Sequence, residues 1–584
     1  MATVLQPTKR LEMPPDKQLQ QYNWRQDAFA GITTAVMIVP QGMAYALLAG
    51  LPPIVGLYAS TFPLLAYALL GTSRQLAIGP VALASLLVAT GIAEISNGTQ
   101  LTQAQYLNYA ILITFTAGVF QLLLGALRLG GLVNLLSHPV VSGFTAAAAL
   151  IIGASQLQHL VGFELSATTV LGKFSEVILG IGNTHGLTFL VGALAIATIV
   201  VLKRVRPKWP GALITVVAGI FASYFFELKA MGVATLGEVP SGLPRPGYPD
   251  NLSWSEIQAV ASIALTIALI AFMESISAAK VYARANRYSI SPTRELFAQG
   301  FANVTASLFG AYVVGGALSR TAVNAASGAK SKLAGVVTAL VVCLVLTALT
   351  APFAYLPKPI LAAIILVAVT GLIDIAEVKH LWAMKRDDLV LLAMTFVATL
   401  FGGVEVGLLT GVGASLLWLV VTTTRPTIAI LGRLPNSRSY RCVDHFDSAE
   451  TFDRIAIMRM DAQFFFGNVN YLKETIYKHA DENESLVALV LDASSMNALD
   501  STAADTYEEI VLELRTKGVE VMISHVKGPV LKVMQGAGLL DTLGDGHIFY
   551  EVDDAVSAAL RHRDAVDRGI PIDEEDFGPS DMLD

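Results

Sequence analysis

Apolar runs recur from about Phe29 to about Val421 and then stop. Their lengths and spacing predict membrane helices at 29–50, 54–70, 80–95, 106–127, 133–157, 187–202, 211–226 and 257–282. A second set follows at 296–313, 318–327, 333–351, 359–373, 388–401 and 406–421. That makes about fourteen segments, several shorter than the ~20 residues of a full crossing. Beyond Arg425-Pro426 the pattern changes. Stretches 454–460, 486–492 and 519–523 read as strands, and 501–517 and 528–536 as helices. Such alternation predicts a small α/β domain. The expected layout is an N-terminal segment at 1–28, a membrane domain at 29–424, an α/β domain at 440–560 and a mobile acidic tail at 561–584. The tail contains Asp573-Glu574-Glu575-Asp576.

Charge orients these segments. With the N-terminus inside, loops after even-numbered helices face the cytoplasm. They hold Arg74, Arg128, the cluster Lys203-Arg204-Val205-Arg206-Pro207-Lys208, the stretch 280–294, Lys330 with Lys332, and the stretch 379–386. Odd-numbered loops are poor in Lys and Arg, and 94–105 has none. This is the positive-inside pattern, and it puts both termini in the cytoplasm. Seven segments per half is an odd number, so a second copy inserts upside down and the halves form inverted repeats. The composition agrees with a polytopic membrane protein: 54% hydrophobic residues, 15% charged, and a mean hydropathy of +0.59.

One stretch breaks the apolar pattern most sharply: Gly315-Gly316-Ala317-Leu318-Ser319-Arg320-Thr321-Ala322-Val323-Asn324, continuing to Lys332. Irregular backbone at membrane depth must be buried in protein or line a wet cavity. A short helix from Leu318 points free N–H groups and its positive dipole end into that cavity, and Arg320 adds a full charge. An anion is the natural occupant. An echo stands in the first half, where Gly79-Pro80 precedes the short third segment. Paired interrupted segments in two halves mark a transporter's binding site.

Several runs together resemble the SulP sulfate permease family. They are Pro40-Gln41-Gly42-Met43-Ala44-Tyr45-Ala46, Leu51-Pro52-Pro53-Ile54-Val55-Gly56-Leu57-Tyr58, Gly71-Thr72-Ser73-Arg74-Gln75 and Gly79-Pro80-Val81-Ala82. The Ser319–Asn324 run with Gly328-Ala329-Lys330-Ser331 looks like the family's tenth-helix motif, and the C-terminal domain resembles a STAS domain. The resemblance covers essentially the whole chain. It implies core and gate subdomains in a fourteen-helix inverted repeat, anion transport by an elevator-like movement, a homodimer, and residence in a bacterial inner membrane.

Candidate site residues follow. Arg320 and Ser319 sit at the start of helix ten, with Thr321 beside them, where a guanidinium could meet an oxyanion in fork geometry. A charged residue within a membrane segment usually has a function. The plainer account is an arginine snorkelling at the boundary. Backbone N–H groups of Val81, Ala82 and Arg320 would add neutral donors. Gln41 and Tyr45, four apart, share a helix face; Pro40 is expected to break that helix locally. The resemblance implies substrate contact there, against a polar helix–helix contact.

Glu274 directly follows the apolar run 259–273. A carboxylate there is costly unless protonated or paired. Ionised, it neutralises Arg320 and repels an anion; protonated, it frees Arg320. Proton and anion then favour each other, the basis of symport. The resemblance implies that a carboxylate at this place marks proton-coupled members, and a structural ion pair is the alternative. His138, Asn303 and Glu405 read as cross-helix structural groups, Asn324 as a brace of helix ten, and Gly402-Gly403 with Gly407, Gly411 and Gly413 as packing positions. Asp500 and Ser501 read as a helix cap. By resemblance to bacterial anti-anti-sigma relatives, Ser501 is also a candidate phosphorylation site that a cytoplasmic partner protein could read.

The expected activity is proton-coupled sulfate symport. Bicarbonate, dicarboxylate or chloride transport, uncoupled exchange or a channel are alternatives within the same fold. A sensor is a further class. There is no Walker motif, no Cys/His metal spacing and no nucleophile elbow, so neither an enzyme, a metal, a cofactor nor a nucleic-acid partner is expected. Cys343 lies in an apolar run and Cys442 in a polar region, so no disulfide framework is expected.

Overall fold

The computed structural model describes residues 24–570 apart from 97–98, 132–136, 207–208 and 248–252, and side chains other than those of Glu405 and Asp545. The expected N-terminal segment to residue 23, residues 133–136, Pro207, Lys208, the Glu405 side chain and the tail from 571 onward lie outside the described residues. The chain forms two compact units that divide between Ser415 and Leu416.

Among the described residues of the first unit and the helix leaving it, nine helices are long and apolar enough to cross a membrane. Three shorter apolar helices join them, Ala82–Ser96, Gly211–Phe225 and Leu333–Ala348. Pro292–Leu308 and the nine-residue Leu318–Ala326 complete the expected series. The short members are the informative ones. Strand β1, Ile78–Gly79, and strand β2, Gly315–Gly316, pair antiparallel, and each runs into a half-helix: Ala82–Ser96 after β1 and Leu318–Ala326 after β2. Gly79 takes φ 156°, a conformation that L side chains rarely adopt, and a Cβ there would crowd Ile38 Cδ1 and the Arg320 guanidinium.

The first helix departs from expectation. Trp24–Leu48 runs unbroken through Pro40. Proline removes one donor and crowds the preceding turn; here packing on neighbouring helices outweighs that cost. The segment 53–70 is two short helices, Pro53–Tyr58 and Phe62–Leu70. Gly42 and Gly56 bring the first two segments together, since a Cβ on Gly56 would lie 1.9 Å from the Gly42 carbonyl oxygen. The sequence motifs containing these glycines are therefore a packing seam as well.

Further departures lie towards the end of the unit. Gly403, at φ 88°, turns the chain between two spans that otherwise form one run from Arg386 to Thr424. Gly407 and Gly411 do pack closely, on Thr399 and on Thr395 with Val140, whereas Gly413 faces open space. A helix at Val170–Leu179 was not expected at all.

The second unit holds a six-stranded sheet in the order β4-β3-β5-β6-β7-β8. Its strands are β3 (Ile428–Arg433), β4 (Tyr440–Cys442), β5 (Ile455–Met460), β6 (Ala488–Asp492), β7 (Glu520–Ser524) and β8 (Ile548–Phe549). The pairings from β5 to β8 are parallel. Helices Val469–Glu482, Ser501–Thr516 and Val552–Arg568 supply its cores. The sheet thus begins before residue 440, and its last helix extends past 560. Both cysteines are free.

Candidate anion site between two half-helices

Each half-helix starts in the same way. Ser85 N–H donates to Val81 O at 3.0 Å, so the amides of Ala82, Leu83 and Ala84 precede the first helical bond. Thr321 N–H donates to Ala317 O at 2.9 Å, which leaves Leu318, Ser319 and Arg320 in the same position. The antiparallel β1–β2 pairing joins the two breaks, and the Arg320 side chain of the second half-helix reaches Ala77 O and Pro80 O just ahead of the first.

Arg320 is fully buried, not snorkelling. Its Nε donates to Ala77 O at 3.1 Å, Nη1 to Pro80 O at 3.0 Å and Nη2 to Gly315 O at 3.2 Å. The expected fork towards an oxyanion is therefore largely spent on backbone. The reason is local: both chain breaks leave carbonyls without strand or helix partners, and a guanidinium spreads enough donors in fixed directions to satisfy three of them. What it offers a solute is its charge and its remaining N–H groups.

Other expected residues are distributed around this point. Arg320 lies within electrostatic reach of Tyr45, Glu274 and Tyr312. Gln41 is buried on the same helix as Tyr45. Ser319 is exposed. Thr321 is fully buried, and its hydroxyl accepts from Ala77 N–H at 3.2 Å, so it braces β1. Val81 is buried as the residue before the first half-helix, and Ala82 is half-buried. Glu274 has a buried Oε2 with no hydrogen-bond partner among the described residues. The neighbouring Ser275 hydroxyl donates to Ala271 O at 2.6 Å and accepts from Gly316 N–H at 2.7 Å, tying β2 to the helix that carries Glu274.

Two carboxylates that sequence reasoning missed hold the approaches to the half-helices. Glu295 accepts from Thr72 N–H and hydroxyl, both at 2.5 Å, and from Ser73 N–H and the Tyr67 hydroxyl, both at 2.7 Å. Asp27 accepts from Lys330 N–H at 2.7 Å, Ser331 N–H at 3.0 Å and the Ser331 hydroxyl at 2.7 Å. Both are buried. Gln75 and Asn324 join the two arms: Asn324 Nδ2 donates to Gln75 O at 2.8 Å, and Gln75 Nε2 donates to Ala329 O at 3.2 Å. Asn324 is the expected brace. The only forward signal for Glu295 and Asp27 was an acidic residue in the first turn of each helix, a position helices favour for their own reasons.

The remaining polar residues are structural in geometry. Asn303 links Gln121 and Val314 N–H. His138 Nδ1 lies 3.2 Å from Glu377 across helices. In the second unit the cap is made by Asp500 rather than Ser501. Its Oδ1 accepts from Ala503 N–H at 2.8 Å and its Oδ2 from Phe466 N–H at 2.9 Å, while Ser501 stays exposed as the first helical residue.

Comparison with known proteins agrees with this architecture. Residues 24–395 match the Sulfate permease family and residues 448–555 the STAS domain. The chain is 35% identical over 567 residues to probable sulfate transporter 4.2 of Arabidopsis thaliana, covering 93% of this chain and 83% of that one. It is 32% identical over 543 residues to a probable sulfate transporter of Mycobacterium tuberculosis, covering 93% and 96%. Among solved structures, murine Solute Carrier 26 family member A9, an anion transporter in the inward-facing state, superposes with a TM-score of 0.84 at 22% identity, over 93% of this chain and 92% of that one. The transmembrane domain of a cyanobacterium bicarbonate transporter, BicA, gives 0.57 at 22% identity over 68% and 98%. These two likenesses show the fold. The chain belongs to the sulfate permease family, as an integral membrane transporter with a C-terminal STAS domain.

Proposed function

We propose that this protein is a secondary active anion transporter that carries sulfate in symport with a proton. The observation that carries the reading is the β1–β2 pairing, which sets two half-helix amide ends against the buried charge of Arg320. An anion there meets oriented dipoles and one cation already tied to backbone carbonyls, so binding is favourable without a closed ion pair. Glu274 supplies the coupling. Its buried, unpartnered oxygen is a place for a proton, and its charge opposes an anion at the same site. Protonation and anion binding then raise each other's affinity by the same factor. Gln41, Tyr45 and Ser319 complete the contacts, with Val81 and Ala82 on the facing end. The relatives named as sulfate transporters support sulfate over other oxyanions.

The transport step is an elevator-like movement of a core, which contains both half-helices, against a gate. The network of Glu295, Asp27, Gln75 and Asn324 supports this, because it makes the two half-crossings one body. The working protein is a homodimer in a bacterial inner membrane, with both termini cytoplasmic. Ser501, exposed at a helix N-terminus, is the position for a phosphate that a cytoplasmic partner protein reads. Uptake of labelled sulfate into proteoliposomes, with and without an inward proton gradient, tests the reading. Concentrative uptake driven by the gradient is expected. Uptake that only follows the sulfate gradient, or preference for bicarbonate or chloride over sulfate, would replace it with exchange, a channel or another substrate.

A further inference from the structure

The helix Val170–Leu179 is built inside out. Leu171, Phe174 and Ile178, three and four apart, form one stripe and are 63%, 43% and 69% exposed. Leu179 and Ile181 extend the stripe. The two charged residues lie toward the protein instead: Lys173 and Glu176 are half-buried, and Glu176 Oε2 accepts from Ser166 N–H at 2.9 Å, while Ser175 is exposed. A helix with its apolar face outward and its polar face on protein is at rest only beside acyl chains.

Near this helix in the chain lies a cavity of about 340 Å³. Its walls include Gln158, His159, Glu164, Thr188 and Lys358. It forms where three connections meet, held by His185 N–H on Val161 O at 2.9 Å, Leu236 N–H on Leu356 O at 2.9 Å and Lys358 N–H on Ala234 O at 2.9 Å. All three follow odd-numbered helices, so the charge pattern puts the cavity at the outer membrane face. Lys358 Nζ, the His159 ring and the Glu164 carboxylate make no hydrogen bond or ion pair with any described residue. One cation, one anion and one imidazole thus share a polar space, and one of its wall residues, Phe163, packs against Gly180 at the end of the helix.

We infer that this cavity holds the headgroup of a phospholipid carrying a primary ammonium, with Lys358 and His159 on the phosphodiester and Glu164 on the ammonium. The mixed charge is the argument. A simple oxyanion gains from Lys358 and loses to Glu164, whereas a zwitterionic phospho-amine satisfies both. The acyl chains lie along Leu171, Phe174 and Ile178.

The test uses the full chain in nanodiscs of phosphatidylcholine, titrated with phosphatidylethanolamine, with retained lipid counted by native mass spectrometry. The expected result is saturable retention of phosphatidylethanolamine over phosphatidylcholine, whose methylated nitrogen has no N–H for Glu164. Lys358→Gln and Glu164→Gln each weaken it roughly tenfold, about the weight of one charge-assisted hydrogen bond. Should either variant fail to fold, the comparison of the two lipids on the unaltered protein decides alone. Equal retention of both lipids overturns the inference, as does unchanged retention in the folded variants. Full displacement by inorganic phosphate would assign the cavity to a free oxyanion and overturn it too.

Discussion

The half-helix Ala82–Ser96 opens with neutral residues, whereas Leu318–Ala326 carries Arg320 in its first turn, although both grow from paired strands and both stop short of a full crossing. The first contributes Ser85, whose hydroxyl lies 3.0 Å from that of Tyr312. The second contributes a whole charge, and that charge is tied mainly to carbonyls of the first arm, Ala77 and Pro80. The anchoring carboxylates differ as well. Glu295 takes four donors from the first arm, and Asp27 takes three from the chain just after the second half-helix. The geometry is duplicated and the charge is not. One cation ties the two breaks together, and in the proposed site it sets the sign of the solute.

That asymmetry gives Arg320→Ala the largest expected effect. It removes the charge and strands three buried carbonyls, at ~1–3 kcal/mol each. Sulfate uptake in proteoliposomes falls to background, and Arg320→Lys restores little, because an ammonium cannot span three acceptors in fixed directions. Uptake by the alanine variant at the unaltered rate would mean the amide ends suffice alone.

Glu274→Gln comes next. It keeps shape and removes titration, so accumulation driven by an inward proton gradient is lost while sulfate–sulfate exchange continues. Measured side by side, the two activities separate coupling from binding. Retained gradient-driven accumulation would make Glu274 a structural group.

Smaller effects test the two anchors against each other. Glu295→Gln removes a charge that accepts four hydrogen bonds and costs stability of roughly 1.5–3 kcal/mol. Asp27→Asn, with three, costs less. Thermal unfolding of the purified protein gives the order, and sulfate KM should rise more for Glu295→Gln because its partners Thr72 and Ser73 lead straight into β1. The reverse order would place the sensitive arm in the second half.

The smallest effect lies in the second unit, at a carboxylate paired with charged side chains. Burial works against the Glu520 carboxylate, yet the His547 ring 3.1 Å away and a hydrogen bond from Arg515 outweigh it and hold it below the usual carboxylate range. A carboxyl group lowered by folding stabilises the fold above its unfolded pKa, and that contribution is lost as pH falls through the folded one. Hydrogen-exchange protection of Glu520–Ser524 in the full chain should therefore decline on acidification, and less so in Glu520→Gln.

Much of this was legible in the sequence. Hydropathy located the spans because lipid demands long apolar runs, and the polar, glycine-rich breaks exposed the half-helices because irregular backbone at membrane depth must be buried in protein or line a cavity. Arg320 and Glu274 stood out for the same reason. Pro40 misled, since one lost amide bond is cheap inside a well-packed helix. Glu295 and Asp27 were hidden because their partners lie more than 200 residues away in the chain. The guanidinium's three carbonyl partners were hidden too, because a fork that fits an oxyanion fits carbonyls as well. The helix Val170–Leu179 escaped because its stripe is short and faces outward.

The central claim is that the solute sits between the two amide ends. Crystals of the full chain soaked in selenate and recorded at the selenium edge test it most directly. The predicted result is an anomalous peak within hydrogen-bond reach of amides from both Ala82–Ala84 and Leu318–Arg320. A peak elsewhere in the membrane unit, with none between those ends, would contradict it.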